Sequence, residues 1–74
     1  MKIKRTGTKV FHPEDYSGIN WWLLEPTDES DESIIDSLDA HRYYGGPGRA
    51  FTCRGYVRRT STRVLVTQRF GVDC

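Results

Sequence analysis

The alternation of apolar and polar positions predicts strands in the first third of the chain. Residues 2–12 are typical of a β segment that is broken or bulged at Gly7, with Val10 and Phe11 as its buried pair. The apolar run 19–24 lies between turn-forming residues and is too short for an independent helix. It therefore predicts a second strand.

The middle of the chain carries the pattern of one helix over residues 28–43. Its apolar positions recur at helical spacing, at Ile34, Ile35 and Leu38. Its first backbone N–H groups have three candidate N-caps, which are Thr27, Asp28 and Ser30. The glycine-rich run 45–48 should end the helix, because no regular element continues through it.

The last third predicts a β-hairpin with its turn at Thr60-Ser61, or with a four-residue loop of the same parity as the alternative. That turn places Val57 opposite Val64, and it places Phe51 opposite Phe70. Both apolar sets then share one face of the hairpin. The other face carries a basic set with one aromatic ring, consisting of Arg54, Tyr56, Arg58, Arg63 and Arg69.

These elements predict an α+β fold in a single domain, residues 1–74, with the order ββαββ. One helix would pack on one face of an antiparallel sheet. A chain of 74 residues has room for only a thin core, which excludes a two-domain enzyme and a multi-helix receptor. The bulky apolar area of two Trp and four Tyr argues against intrinsic disorder, as does the net charge of +1.

The location expected from the sequence is cytoplasmic. The apolar run Trp21 to Leu24 is far shorter than the ~20 residues that cross a bilayer, and the basic start of the chain leads into no apolar stretch. No membrane partner is therefore expected. Only two cysteines are present, Cys53 and Cys74, and we interpret both as reduced thiols, with a bridge between them as the alternative.

The small net charge conceals a strong segregation of charge along the chain. Residues 1–13 carry +4, residues 14–39 carry −9 without any Lys or Arg, and residues 40–74 carry +6. Segregated charge of this size indicates a surface that meets a charged macromolecule.

The first functional hypothesis is a small interaction protein that inhibits or modulates a protein or nucleoprotein target. The predicted helix carries a row of carboxylates at i, i+4 and i+7, with no basic partner on the same helix. Aromatic side chains of the kind that anchor interfaces accompany it. The predicted partner-binding residues are Glu32, Asp36, Asp39, Trp22, Tyr43 and Tyr44.

The alternative hypothesis is a small nucleic-acid-binding module that uses the basic hairpin face. Guanidinium groups beside an exposed tyrosine can follow a phosphate backbone and stack a base. Its predicted binding residues are Arg54, Tyr56, Arg58, Arg63 and Arg69. The nearly neutral whole chain argues against a dedicated binder, since such domains usually have a pI above about 9.

Catalysis, a metal and a cofactor are not expected. The histidines and cysteines have no zinc-ligand spacing, and no nucleophile motif or phosphate loop is present. A homodimer that forms by pairing of an exposed sheet edge is a further alternative. In its size, its segregated charge and its lack of a catalytic set, the chain is similar to small phage-encoded inhibitors such as anti-CRISPR proteins, although no shared motif carries that likeness.

Overall fold

The computed structural model describes residues 1–15, 17–43 and 51–71, which form five strands and one α-helix. In chain order the elements are β1 (Ile3–His12), β2 (Ser17–Leu24), α1 (Asp31–Ser37), β3 (Phe51–Thr52), β4 (Tyr56–Arg59) and β5 (Val64–Gly71). A 3-10 turn, Pro13–Asp15, joins β1 to β2. The α+β class is confirmed. The predicted ββαββ order is not, because three strands, β3, β4 and β5, follow the helix.

The strands form one antiparallel sheet in the order β1-β2-β5-β3, with β4 also paired to β5. Strand β5 has β2 along one edge, and it has β4 and then β3 along the other. Strand β1 is therefore an edge strand over all ten of its residues.

The core lies between α1 and one face of this sheet, which we call the helix face. Leu24, Val64 and Val66 of the sheet pack with Ile34 of the helix in one buried cluster. Ile34 and Ile35 are fully buried, as the helical pattern predicts. Cross-strand pairing keeps the apolar residues of β2, β5 and β4 on this one face, because Leu24 lies opposite Val64 and Val57 lies opposite Val66. The other side of the sheet is called the open face.

A row of polar side chains continues the helix face beyond this cluster and fixes the strand register. The hydroxyl of Thr8 donates to Asn20 Oδ1 at 2.8 Å, and Asn20 Nδ2 donates to Gln68 Oε1 at 3.4 Å. Gln68 is only 5% exposed, and its amide nitrogen donates to the backbone carbonyl of His41 at 3.1 Å. Since a buried amide without partners is costly, a shifted register would be disfavoured here.

Helix α1 is shorter than the predicted span 28–43. Ser30 is the N-cap, and its hydroxyl accepts from the backbone N–H of Ser33 at 3.1 Å. The last turn has no basic residue, and Asp39, just after the C-cap Leu38, has a φ of 54°, so the negative end of the helix dipole meets further negative charge. No helix in the described ranges is long and apolar enough to cross a membrane.

The predicted burial of Val10 and Phe11 is wrong. Their side chains are 51% and 50% exposed, and β1 runs unbroken through Gly7. The reason is their position on the edge strand, since the helix covers β2, β4 and β5. The irregularities in the β1–β2 pairing lie on either side of Gly7, between Ile3 and Arg5 and between Val10 and His12.

The register of the two-residue turn is wrong, whereas the alternative four-residue loop, which keeps the valines on the predicted face, is the one found. Val57 pairs with Val66, and Arg59 pairs with Val64, so a four-residue loop replaces the turn at Thr60-Ser61. Phe51 pairs with Gly71 rather than with Phe70. The residues between β3 and β4 break the alternation, which explains why one predicted strand becomes two.

The prediction of two reduced thiols is wrong for Cys53, which is disulfide-bonded. Cys74 is the only other cysteine of the sequence, and it lies outside the described residues. Reduced thiols had supported the expected cytoplasmic location. The disulfide removes that support, since disulfides are rare in the cytosol.

The N-cap of α1 gives a direct test of why the helix begins where it does. Ser30→Ala removes the hydroxyl that accepts from Ser33 and should lower the free energy of unfolding by about 1 kcal/mol. Ser37→Ala is the matched control at the other end of the helix. It should leave the stability unchanged or raise it slightly. Equal urea midpoints for the two variants would contradict the cap assignment.

Candidate functional site

The sheet and the segments between its strands carry opposite charges. None of the five described strands contains Asp or Glu, whereas they contain six lysines and arginines: Lys4, Arg5, Lys9, Arg58, Arg59 and Arg69. The described carboxylates lie in the 3-10 turn, in α1 and in the chain around α1. The segregation seen along the sequence is therefore also a segregation in space.

On the helix face, Arg59 binds the start of α1. Its guanidinium donates to the carboxylate of Asp31 at 2.8 Å and to the backbone carbonyls of Thr27 at 2.9 Å and Glu29 at 2.5 Å. These contacts neutralise one helix carboxylate and satisfy two carbonyls in the segment before the helix. Arg59 therefore stabilises the packing of the start of α1, and of the segment before it, on the sheet.

The N-terminus of the chain is fixed to the same segment through Glu29. The hydroxyl of Ser33 donates to its carboxylate at 3.1 Å, and the Met1 ammonium lies 3.3 Å from it. The Ser33 hydrogen bond and the Met1 ammonium lower the pKa of Glu29 below its usual value. The acidic segment is thus partly compensated by groups of the same chain.

The predicted carboxylate row on α1 is exposed, but two of its three members already have partners. Glu32 forms a salt bridge with Arg54, and Asp36 Oδ1 lies 3.1 Å from Nε2 of His41. Asp39 is exposed just beyond the helix. A row with one member salt-bridged to Arg54 and another in contact with the His41 ring is a weaker docking surface for a basic partner than the sequence suggested.

The aromatic partner-binding candidates are dispersed. Trp22 lies on the helix face and packs against the core cluster. Tyr43 is 66% exposed and forms an isolated bridge with Thr52. Tyr44 lies outside the described residues. Trp22 therefore belongs to the packed side of the sheet and not to an exposed surface with the carboxylate row.

The open face brings basic and aromatic residues into three rows that cross the sheet. The middle row runs Gly7, Trp21, Thr67, Tyr56 over β1, β2, β5 and β4. One flanking row runs Arg5, Leu23, Leu65, Arg58, and the other runs Lys9, Ile19, Arg69. Residues two apart on a strand are about 7 Å apart, so cations lie about that far to either side of the aromatic row.

Trp21 lies across the sheet because its neighbour in the middle row is a glycine. A Cβ atom at Gly7 would be 2.8 Å from Cζ2 of the Trp21 indole, 2.9 Å from Cε2 and 3.1 Å from Nε1. Three consecutive ring atoms at similar distances show that the indole overlies Gly7. Strand side chains usually stand away from the sheet, so the missing side chain is what admits this position.

The second ring of the middle row is that of Tyr56, which is 60% exposed. The guanidinium carbon of Arg58 lies 5.6 Å from its centroid, within cation–π range. On β1, Lys9 Nζ lies 5.8 Å from the centroid of the half-exposed Phe11 ring. The face thus presents aromatic surface with positive charge beside it at both edges.

The four cations of the open face have no carboxylate partner in the described part of the chain. The salt bridges found there use Met1, His12, His41, Arg54 and Arg59. Arg5, Lys9, Arg58 and Arg69 are all exposed. With half-buried Ile19, Trp21, Leu23 and Leu65 between them, these side chains can bind a polyanion that also carries flat apolar groups.

The predicted basic set overlaps this face only in part. Tyr56, Arg58 and Arg69 lie on it, whereas Arg54 pairs with α1 and Arg63 lies in the β4–β5 loop. Arg5, Lys9 and Trp21 were missed, because the sequence alone does not show that β2 joins β1 to the hairpin. Glycine in the middle of a strand, opposite an aromatic residue, was the one available signal.

The chain shows no significant match to a protein-family model, to a curated protein or to a solved structure. No relative therefore supplies a ligand or a reaction, and the side chains described above carry the functional inference.

The neighbouring arginines of β4 provide a test of this division between faces. Arg59→Ala should lower the free energy of unfolding by about 1–2 kcal/mol, because it removes hydrogen bonds from a charged donor on the partly exposed helix side. Arg58→Ala removes the same charge from the open face and should change stability by less than about 0.5 kcal/mol. Equal losses in thermal or urea unfolding would contradict the assignment of the two side chains to different roles.

Proposed function

We propose that this protein binds nucleic acid through the open face of its sheet. Four cations, Arg5, Lys9, Arg58 and Arg69, contact phosphates, and the apolar and aromatic centre contacts sugars and bases. Phosphate contacts supply most of the affinity in such complexes and fix the position of the ligand.

One observation supports this proposal most strongly: the open face is cationic and has no acidic residue in any described strand. The protein's arginines nearest to its own carboxylates, Arg54 and Arg59, are already paired with them. What is left on the open face is positive charge that nothing in the described residues compensates. A polyanion is its electrostatic complement.

The aromatic content favours nucleic acid over an acidic protein surface as that polyanion. Trp21 and Tyr56 lie within the cationic frame, and aromatic rings beside arginines are suited to nucleobases. An acidic protein would use the same cations, but it would not need rings between them. Failure to bind nucleic acid would therefore favour an acidic protein as the partner of this face.

Salt dependence tests the proposed function. The probe is a fluorescein-labelled mixed-sequence DNA of twenty nucleotides, titrated with the full chain between about 50 and about 200 mM salt. Four phosphate contacts predict that log K falls against log salt with a slope of roughly −3. Absence of binding at the lowest salt, or a slope near zero, would overturn the proposal.

Single substitutions then show whether the open face is the surface used. Lys9→Ala, Arg58→Ala and Arg69→Ala should each weaken binding and make the slope shallower by about 1. Arg54→Ala is the matched control, since it removes one arginine that pairs with α1 instead. If Arg54→Ala weakens binding as much as the open-face variants do, the charge acts without a defined site, and the proposal fails.

A further inference from the structure

We infer that the open face recognises unstacked bases, so that its ligand is a single-stranded and not a double-stranded nucleic acid. This inference rests on the proposed function, and it adds which form of nucleic acid the same surface takes. Trp21 over Gly7 and the exposed ring of Tyr56 carry it.

The Trp21 indole is already held in a position for stacking before any ligand arrives. The indole edge formed by Cζ2, Cε2 and Nε1 lies over Gly7, and the side chain as a whole is only partly buried. Strand pairing fixes the backbone on both sides of it, with Gly7 on β1 and Thr67 on β5. A ring held in this way loses little conformational freedom when a base stacks on it, which favours binding.

Tyr56 offers a second ring in the same row at a defined distance. Gly7, beneath the indole, and Tyr56 are three strand spacings apart, which is about 14 Å. Bases stacked at about 3.4 Å per step need roughly four steps to cover that span, and an unstacked strand, which extends further per nucleotide, needs fewer. The two rings therefore bind bases that are not adjacent, and about five nucleotides are the most that are needed to reach both.

A duplex cannot use these rings. Its bases are paired and stacked in the interior, and the phosphates form its outer surface, so only the four cations would engage. Base–aromatic stacking requires bases that are free to turn outward. The face should consequently discriminate by strandedness, although a duplex offers about twice as many phosphates over the same length.

The experiment compares labelled oligo(dT) of eight nucleotides with a blunt duplex of eight base pairs at one salt concentration. The single strand should bind at least roughly 5-fold more tightly, the lower limit expected for one stacked base. In a length series, affinity should rise steeply over the first nucleotides, up to about five at most, and then more slowly. Equal or tighter binding of the duplex would overturn the inference.

Gly7→Val tests the platform without changing the charge. A β-branched side chain suits a strand backbone, but its Cβ would occupy the position next to the indole and displace the ring. Single-strand affinity should fall by roughly 5-fold or more towards that of the duplex, while duplex affinity stays unchanged. Tyr43→Leu, which removes an exposed ring bridged to Thr52, is the control and should leave both affinities unchanged.

Tryptophan fluorescence of the Trp21→Leu variant gives a second measurement, which does not depend on whether Gly7→Val folds correctly. The single strand should quench the tryptophan emission of the parent protein, and Trp21→Leu should abolish the quench. Trp22→Phe should keep it, because Trp22 packs against the core. A quench that survives Trp21→Leu and is lost in Trp22→Phe would overturn the inference.

The outcomes separate this inference from the proposed function. If single and double strands bind alike, with a salt slope of roughly −3 that the open-face charge variants reduce, the inference fails and the proposed function stands. If neither nucleic acid binds, both fail. Binding that responds to Gly7→Val, to Trp21→Leu and to strandedness supports both.

Discussion

The alternation of side chains along β4 decides which charges this protein neutralises internally and which it presents to solvent. Arg59 points to the helix side and binds Asp31 and two backbone carbonyls, whereas Arg58 points to the open face beside Tyr56. Because the pairing with β5 fixes this alternation, the two arginines cannot exchange roles without a shift in register. Arg5, Lys9 and Arg69 likewise lie on the open face, whereas the carboxylates of α1 lie on the helix side of the sheet.

Much of the fold follows from local pattern. The stripe of Ile34 and Ile35, the Ser30 cap and the two N-terminal strands all depend on residues close together in sequence, and all are present. The errors concern long-range pairing. Exposure of Val10 and Phe11 depends on β1 lying at the edge of the sheet, and the hairpin register depends on the length of the loop after β4 and on an interruption between β3 and β4, neither of which a turn motif marks.

The candidate site was only half visible in the sequence for the same reason. The hairpin supplies Tyr56, Arg58 and Arg69, and its alternation revealed them. Arg5, Lys9 and Trp21 come from β1 and β2, and they join the same surface only because β2 pairs with β5. The net charge of +1 was misleading, because it sums over described strands without acidic residues and an acidic helix side that is partly neutralised by Arg54 and Arg59.

A nitrogen–proton NMR titration with oligo(dT) of eight nucleotides tests the central claim most directly, because each tryptophan indole N–H and each arginine Nε–H is observed separately. The account predicts that the signals of Trp21, Arg58 and Arg69 shift on binding, while those of Trp22, Arg54 and Arg59 stay in place. Shifts centred on the backbone of α1 and on Arg54 and Arg59, with Trp21 and Arg58 unmoved, would contradict it.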